Sequence, residues 1–125
     1  MKIGIDARFL THPQPGGFKT YTENLISALA EVDSANEYML YVDRPPAPGD
    51  LIPRASNFQT RVVPVSMNLI GLPMREQITL ARQAKKDRVD VFHAPCLTAP
   101  VYLSCPLVVT VHDMIWASPK NFTGN

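Results

Sequence analysis

Cysteine is scarce in this chain. Cys96 and Cys105 are the only two in 125 residues, which excludes a disulfide framework, and their spacing is not that of a metal site. They read as reduced thiols of a cytosolic protein. Charge of neither sign dominates: 12 Lys and Arg face 11 Asp and Glu, for a net +1. No strong field therefore favours nucleic acid or an anionic membrane. No apolar run is long enough to span a bilayer. The N-terminus lacks the pattern of a secretory signal, because charge returns at Asp6 and Arg8. Neither a G-x-G-x-x-G fingerprint nor a Gly-Lys-Ser/Thr phosphate loop occurs. What remains is a chain with 46% hydrophobic content, ordinary for one globular domain of this length.

The most informative stretch is MKIGIDARFLTHPQPGGFKTYTENLISAL, residues 1 to 29. Ile3 and Ile5 belong to a short apolar run that stops at Asp6, as expected of a strand buried on both faces of a parallel sheet. Ala7 to Pro15 carries two prolines and is expected to be an irregular loop. After Gly16 and Gly17, the residues Phe18, Tyr21, Leu25, Leu29 and Val32 recur at helical spacing, with Lys19, Thr20, Glu23 and Asn24 on the other side. The first amides of a helix have no internal partner, and the macrodipole leaves partial positive charge there. A glycine pair at that point is either an anion cradle or a simple turn.

Further along, Glu37 to Asp43 reads as a second strand. Arg44 to Asn57 contains four prolines and a glycine, so it is expected to be a surface loop. Thr60 to Val65 reads as a third strand, and Pro64 places it at a sheet edge, since proline cannot donate to a ladder. Pro73 is expected to open a helix running to about Arg88, with Met74, Ile78, Leu80 and Ala81 inward and Arg82, Gln83, Lys85, Lys86 and Asp87 outward. Val89 to His93 and Leu107 to His112 read as fourth and fifth strands, separated by a proline-containing connection.

Strands alternating with helices predict an α/β, Rossmann-like open parallel sheet with helices on both faces and strand order 3-2-1-4-5. Such sheets bind ligands beyond the carboxyl ends of their strands, where the order reverses. That rim should carry Asp6, Arg8, the Gly16-Gly17 loop, His93, and His112 with Asp113. Histidine can serve there as acid, base or hydrogen-bond donor. His93 has two readings, a rim group or a packed residue holding a loop. The pair His112-Asp113 favours function, whereas His12 in its proline loop is expected simply to be exposed. Asp6, Asp43 and Asp113 are too few and too surrounded by prolines for a phosphoacceptor module.

Four motifs occur in order: MKIGIDAR with the Gly-Gly loop and a Tyr-containing helix, MREQ at 74 to 77, DVFHAP at 90 to 95, and CPLVVTVHDM at 105 to 114. Together they resemble the N-terminal half of family 4 (group 1) glycosyltransferases, retaining enzymes of the GT-B architecture. The resemblance covers residues 1 to about 119. It implies a Rossmann-like, acceptor-side domain facing a second domain that holds a UDP- or GDP-sugar. By the same resemblance, Gly16 and Gly17 lie against the donor diphosphate and His112 contacts the transferred sugar as the catalytic residue. His93, Asp113, Arg8 and Tyr21 line the acceptor cleft. No metal and no cofactor beyond the nucleotide-sugar co-substrate is expected.

The implied acceptor is a saccharide or a glycolipid, as in polysaccharide or glycolipid biosynthesis. The implied location is the cytoplasm or the cytosolic face of the inner membrane, with peripheral membrane contact of the intact protein. The family's donor half, with its Glu-x7-Glu segment, has no counterpart in these residues. Residues 1 to 125 are therefore expected to be one incomplete acceptor-side domain, inactive alone and prone to self-association at an uncovered sheet edge. The alternative function is a stand-alone α/β module that binds a phosphorylated ligand without catalysis.

Overall fold

A computed structural model describes residues 1–65 and 70–112. Five parallel strands form one sheet in the order β3-β2-β1-β4-β5. They are β1 Lys2–Asp6, β2 Glu37–Val42, β3 Phe58–Val62, β4 Val91–Ala94 and β5 Leu107–Val109. The order is the expected one, with β1 at the centre and β3 at an edge. Helix α1, Gly17–Val32, follows β1. A second helical segment follows β3 and has three parts: α2 Gly71–Met74, a π-helical turn Arg75–Thr79, and α3 Leu80–Lys86.

The side-chain alternation of the strands divides the core in two. On the α1 face, Ile5, Tyr38, Leu40, Val42 and Phe58 pack with Leu10 and Ile26, and with Ile52 and Ala55 from the proline loop. On the opposite face, Met39, Tyr41, Phe92 and Ala94 pack with Leu80 and Ala84 of α3 and with Leu103 and Cys105 of the β4–β5 connection. Helices thus cover both faces. Gly4 lies where the second core is tightest. A Cβ built on it would meet Val89 Cγ1 at 3.0 Å, Tyr41 Cε2 at 3.1 Å and Phe92 Cδ2 at 3.2 Å. Two of those neighbours are buried rings with little freedom to move. Gly4→Ala is therefore expected to destabilise the fold by about 1–3 kcal/mol, read as a lowered urea midpoint with an unchanged slope.

Several element details depart from expectation. The loop after β1 is not wholly irregular, since Arg8–Leu10 forms a 3-10 turn before the first proline. β3 begins two residues early because Phe58 stacks on Tyr38, with centroids 4.4 Å apart. It stops before Pro64: Val63 N donates to Val42 O at 2.7 Å, and the next residue has no N–H to continue the ladder. β4 starts at Val91 instead of Val89. β5 spans three residues instead of six and is exposed, with Val108 51% accessible, so its continuous apolar run does not mark a strand buried on both faces.

The helices differ in phase. In α1 the buried seam is Thr22 and Ile26, while Val32 is 78% exposed and Phe18 37%. Thr22 can occupy the seam because its hydroxyl donates to Phe18 O at 2.7 Å, satisfying it within the helix. Lys19, expected on the outer side, turns back to the loop after β1. Its Nζ donates to the carbonyls of Leu10 and His12, each at 3.0 Å, and of Phe9 at 3.4 Å.

The second helical segment starts at Gly71. Pro73 is its third residue, still within the first turn, where a missing N–H breaks no helical bond. Met74 and Ile78 point to solvent at 44% and 46% exposure, and the buried residues are Arg75, Glu76, Leu80 and Ala84. Two causes combine here. The π turn holds an extra residue and shifts the helical phase, and Arg75 finds enough acceptors to be buried. Gln83 and Asp87, expected outside, are half-buried, and Asp87 accepts from the Tyr41 hydroxyl at 2.8 Å. α3 ends in a Schellman arrangement, with Val89 N donating to Ala84 O and Arg88 N to Lys85 O, each at 3.1 Å. Arg88 takes the left-handed position at φ 58°, where glycine is usual.

Candidate functional site

The carboxyl ends of the strands gather most of the residues singled out in the sequence. The loop after β1 turns Arg8 and Phe9 upward, and the Arg8 guanidinium lies 4.9 Å over the Phe9 ring. From Phe9 a line of aromatic contacts runs both ways along the rim. Phe9 meets His12 at 5.8 Å and Phe18 at 5.3 Å, and Phe18 meets His112 at 5.4 Å. Tyr21, one turn into α1, sets its ring edge-on to His112 at 4.4 Å. Phe18 and Tyr21 are thus held by the rim cluster, which explains why the apolar stripe read from α1 does not coincide with its buried seam.

His112 is fixed from a second side. Its Nε2 lies 2.7 Å from Pro95 O. A carbonyl only accepts, so Nε2 carries the proton, and in the neutral ring Nδ1 keeps a lone pair for a hydroxyl donor. Beside it, α1 begins with an uncapped N-terminus. The first helical bond is Thr20 N to Gly16 O at 3.0 Å, so the amides of Gly17, Phe18 and Lys19 have no acceptor within the helix. A Cβ at Gly16 or Gly17 would meet nothing within 4 Å, and Gly16 has an extended backbone at φ 171°. Among the described residues neither packing nor strain demands these glycines.

His93 is set apart from this cluster. It lies within β4 in register with Ile5 of β1, and its Nε2 is 2.8 Å from the Thr110 hydroxyl. Burial lowers its pKa from the ordinary 6.5, so the fold favours the neutral ring, and its bond to Thr110 ties the residue after β5 to β4. The unfolded chain takes up that proton as pH falls through 6.5. Stability from His93 is then fully present above 6.5 and lost below it. Denaturant midpoints of the wild type should decline more steeply below pH 6.5 than those of His93→Gln, and equal slopes would contradict this. Asp113 lies outside the described residues.

Two features of the rim carried no sequence signal of the usual kind. The first is a buried ion pair. Arg75 is 1% exposed; its Nη1 donates to Asp6 Oδ1 at 3.3 Å, its Nε to Val63 O at 2.7 Å and its Nη2 to Tyr41 O at 3.4 Å. Asp6, at the end of the central strand, is therefore a structural acceptor and not an open carboxylate. The sequence hints were the MREQ motif and the Arg-Glu pair it sets in an otherwise apolar helix start, neither of which pointed to Asp6. The second is a cavity of about 660 Å³ between the loops after β1, β2 and β3, lined by Arg8, Phe9, His12, Asp43, Arg44, Val65 and Leu72. Its size falls in the range of small-molecule sites. Asp43 is already engaged there, accepting from Thr11 Oγ1 at 3.0 Å and Arg44 Nε at 3.3 Å.

Among the described residues no group of acidic, histidine and cysteine side chains is placed to hold a metal ion, and no helix is long and apolar enough to cross a membrane. Both cysteines are free thiols. In sum the rim joins Arg8, Gly16, Gly17, Tyr21 and His112, and leaves His93 within the sheet. No protein-family model, no curated protein and no solved structure matches the chain.

Proposed function

We propose that this chain is the acceptor-side domain of a retaining glycosyltransferase of GT-B architecture, acting with a UDP- or GDP-sugar on a saccharide or glycolipid in the cytoplasm or at the cytosolic membrane face. One observation carries the reading. A helix N-terminus with no side-chain cap and, among the described residues, no neighbour over its two glycines stands beside a histidine whose Nε2 is bound to the Pro95 carbonyl, which makes Nδ1 the acceptor of the neutral ring. The first suits the diphosphate of a nucleotide-sugar, and the second suits a hydroxyl of the sugar being transferred.

In this reading the acceptor hydroxyl attacks the anomeric carbon from the face of the departing diphosphate. The new glycosidic C–O bond forms as the anomeric C–O bond to phosphate breaks, and the hydroxyl proton passes to a phosphate oxygen of the leaving group. The amides at Gly17 and Phe18 offset negative charge developing on that diphosphate. His112 orients the sugar, Tyr21 and Phe18 hold the imidazole, and Arg8 and the neighbouring cavity receive the acceptor. His93 supports this rim from within the sheet.

The test uses the protein translated from its whole reading frame, with UDP- and GDP-sugars and saccharide or glycolipid acceptors. Release of nucleoside diphosphate in step with a product of retained anomeric configuration, followed by NMR, is the expected result. Binding of nucleoside diphosphate with no transfer to any acceptor would instead favour a non-catalytic phosphate-binding module. Absence of any nucleotide binding would remove both readings.

A further inference from the structure

The charges around the cavity do not balance. Two fixed cations, Arg8 and Arg44, line it, and Asp43 is the one carboxylate among its described lining residues. Asp43 is committed to Arg44 and Thr11. Asp6, at the end of β1, is held by Arg75, and Glu76 beside Arg75 is buried with its Oε1 unpartnered and makes no ion pair with Arg8. Arg8 is left without an ion-pair partner among the described residues, and its Nη1 is buried with no hydrogen-bond partner. An unpaired guanidinium drawn out of water is unfavourable unless something else neutralises it. Its Cζ lies 4.9 Å over the centre of the Phe9 ring, a cation–π contact that leaves the N–H groups of the guanidinium for an acceptor. Beside it Phe9, Val65 and Leu72 supply apolar wall.

We propose that this cavity binds an oxyanion group, a phosphate or a carboxylate, carried on a sugar-sized body, with Arg8 as its main ligand and Arg44 as a secondary one. The anion completes the coordination that the chain leaves open at Arg8, and the body lies against Phe9 and Leu72. That the ligand is the acceptor rests on the glycosyltransferase reading, and it narrows that acceptor to an anionic saccharide or a phosphate-bearing glycolipid headgroup. The binding itself does not depend on that reading.

Calorimetric titration of the purified chain at low ionic strength tests the proposal with three probes: phenyl phosphate, phenyl β-glucuronide and the neutral phenyl β-glucoside. At least one oxyanion probe is expected to bind roughly tenfold or more tighter than the glucoside, the scale of a charge-assisted hydrogen bond. Whichever of the two binds tighter identifies the oxyanion. Arg8→Gln should abolish the preference, Arg8→Lys should keep part of it, and Arg44→Gln, on an exposed side chain, should weaken it a few-fold without disturbing the fold. Equal binding of the glucoside, an undiminished preference in Arg8→Gln, or no binding of any probe would overturn it. Sugar transfer by the whole protein with no anion preference would remove this proposal alone. Anion preference without transfer would leave the site standing and remove the glycosyltransferase reading.

Discussion

Replacing Arg75 with alanine should destabilise the fold by about 3–5 kcal/mol, the range for removing one partner of a buried ion pair. Against a total of roughly 5–15 kcal/mol for a domain, that leaves a protein near the edge of folding. The effect is large because the guanidinium serves three strands at once: Asp6 at the end of β1, Tyr41 O in β2 and Val63 O just past β3. Truncation orphans a buried carboxylate and removes the side-chain donor to Val63 O and one of the two donors to Tyr41 O, which keeps Ala7 N. Urea denaturation followed by circular dichroism measures it. The double variant Asp6→Asn/Arg75→Leu should lose less than the sum of Asp6→Asn and Arg75→Leu, since neither charge is then stranded. A loss below about 1 kcal/mol for Arg75→Ala would mean that water reaches the carboxylate and that the pair is peripheral.

The second large effect is on the sugar transfer proposed above. His112→Ala in the whole protein should lower sugar transfer by about 10²- to 10³-fold, the scale for losing one preorganised contact to the reacting centre. The fold should survive, because the imidazole sits on the rim against Tyr21 and Phe18 and not in either core. His112→Asn keeps a short acceptor and donor and should recover part of the activity. The loss should fall on kcat more than on KM if the contact forms mainly in the transition state. A change within a factor of two, with fold intact, would make His112 a packing residue whose task ends at the Pro95 carbonyl.

The parts of this fold that were legible in the sequence rest on single, strong local signals. The sheet order followed from alternating strand and helix patterns, and Pro64 marked the edge by removing one N–H. That the segments carrying Arg8 and His112 end on the same side followed from topology, because β1 and the strands after the crossover run parallel; the contact of Tyr21 with His112 did not. What failed were inferences from apolar spacing. Phe18 and Tyr21 are apolar because they pack on His112 at the rim, not because they face the core. Met74 and Ile78 were assigned inward on a 3.6-residue period that the π turn interrupts. Arg75 was illegible because its acceptors come from three other segments, and burial of a charge is decided by partners distant in sequence. The cavity beside Arg8 was unreadable for the same reason: its walls come from four segments, and no one of them announces a concavity.

The π-helical turn at Arg75–Thr79 also bears on changes of chain length. A π turn carries one residue more than an α turn spanning the same bonds, so deleting one residue there would let the segment close into a continuous α-helix. The extra residue adds length to the turn without changing which faces flank it, so after such a deletion Arg75 and the Leu80–Ala84 pair would still face the sheet together. A deletion inside α3 has no such slack, because each residue of an α-helix adds about 100° of rotation. If the end of α3 stays packed on Tyr41 and Phe92, the guanidinium swings away from Asp6. If Arg75 stays, the second core opens. This segment should therefore tolerate the loss of one residue at the π turn far more readily than the loss of one between Leu80 and Ala84.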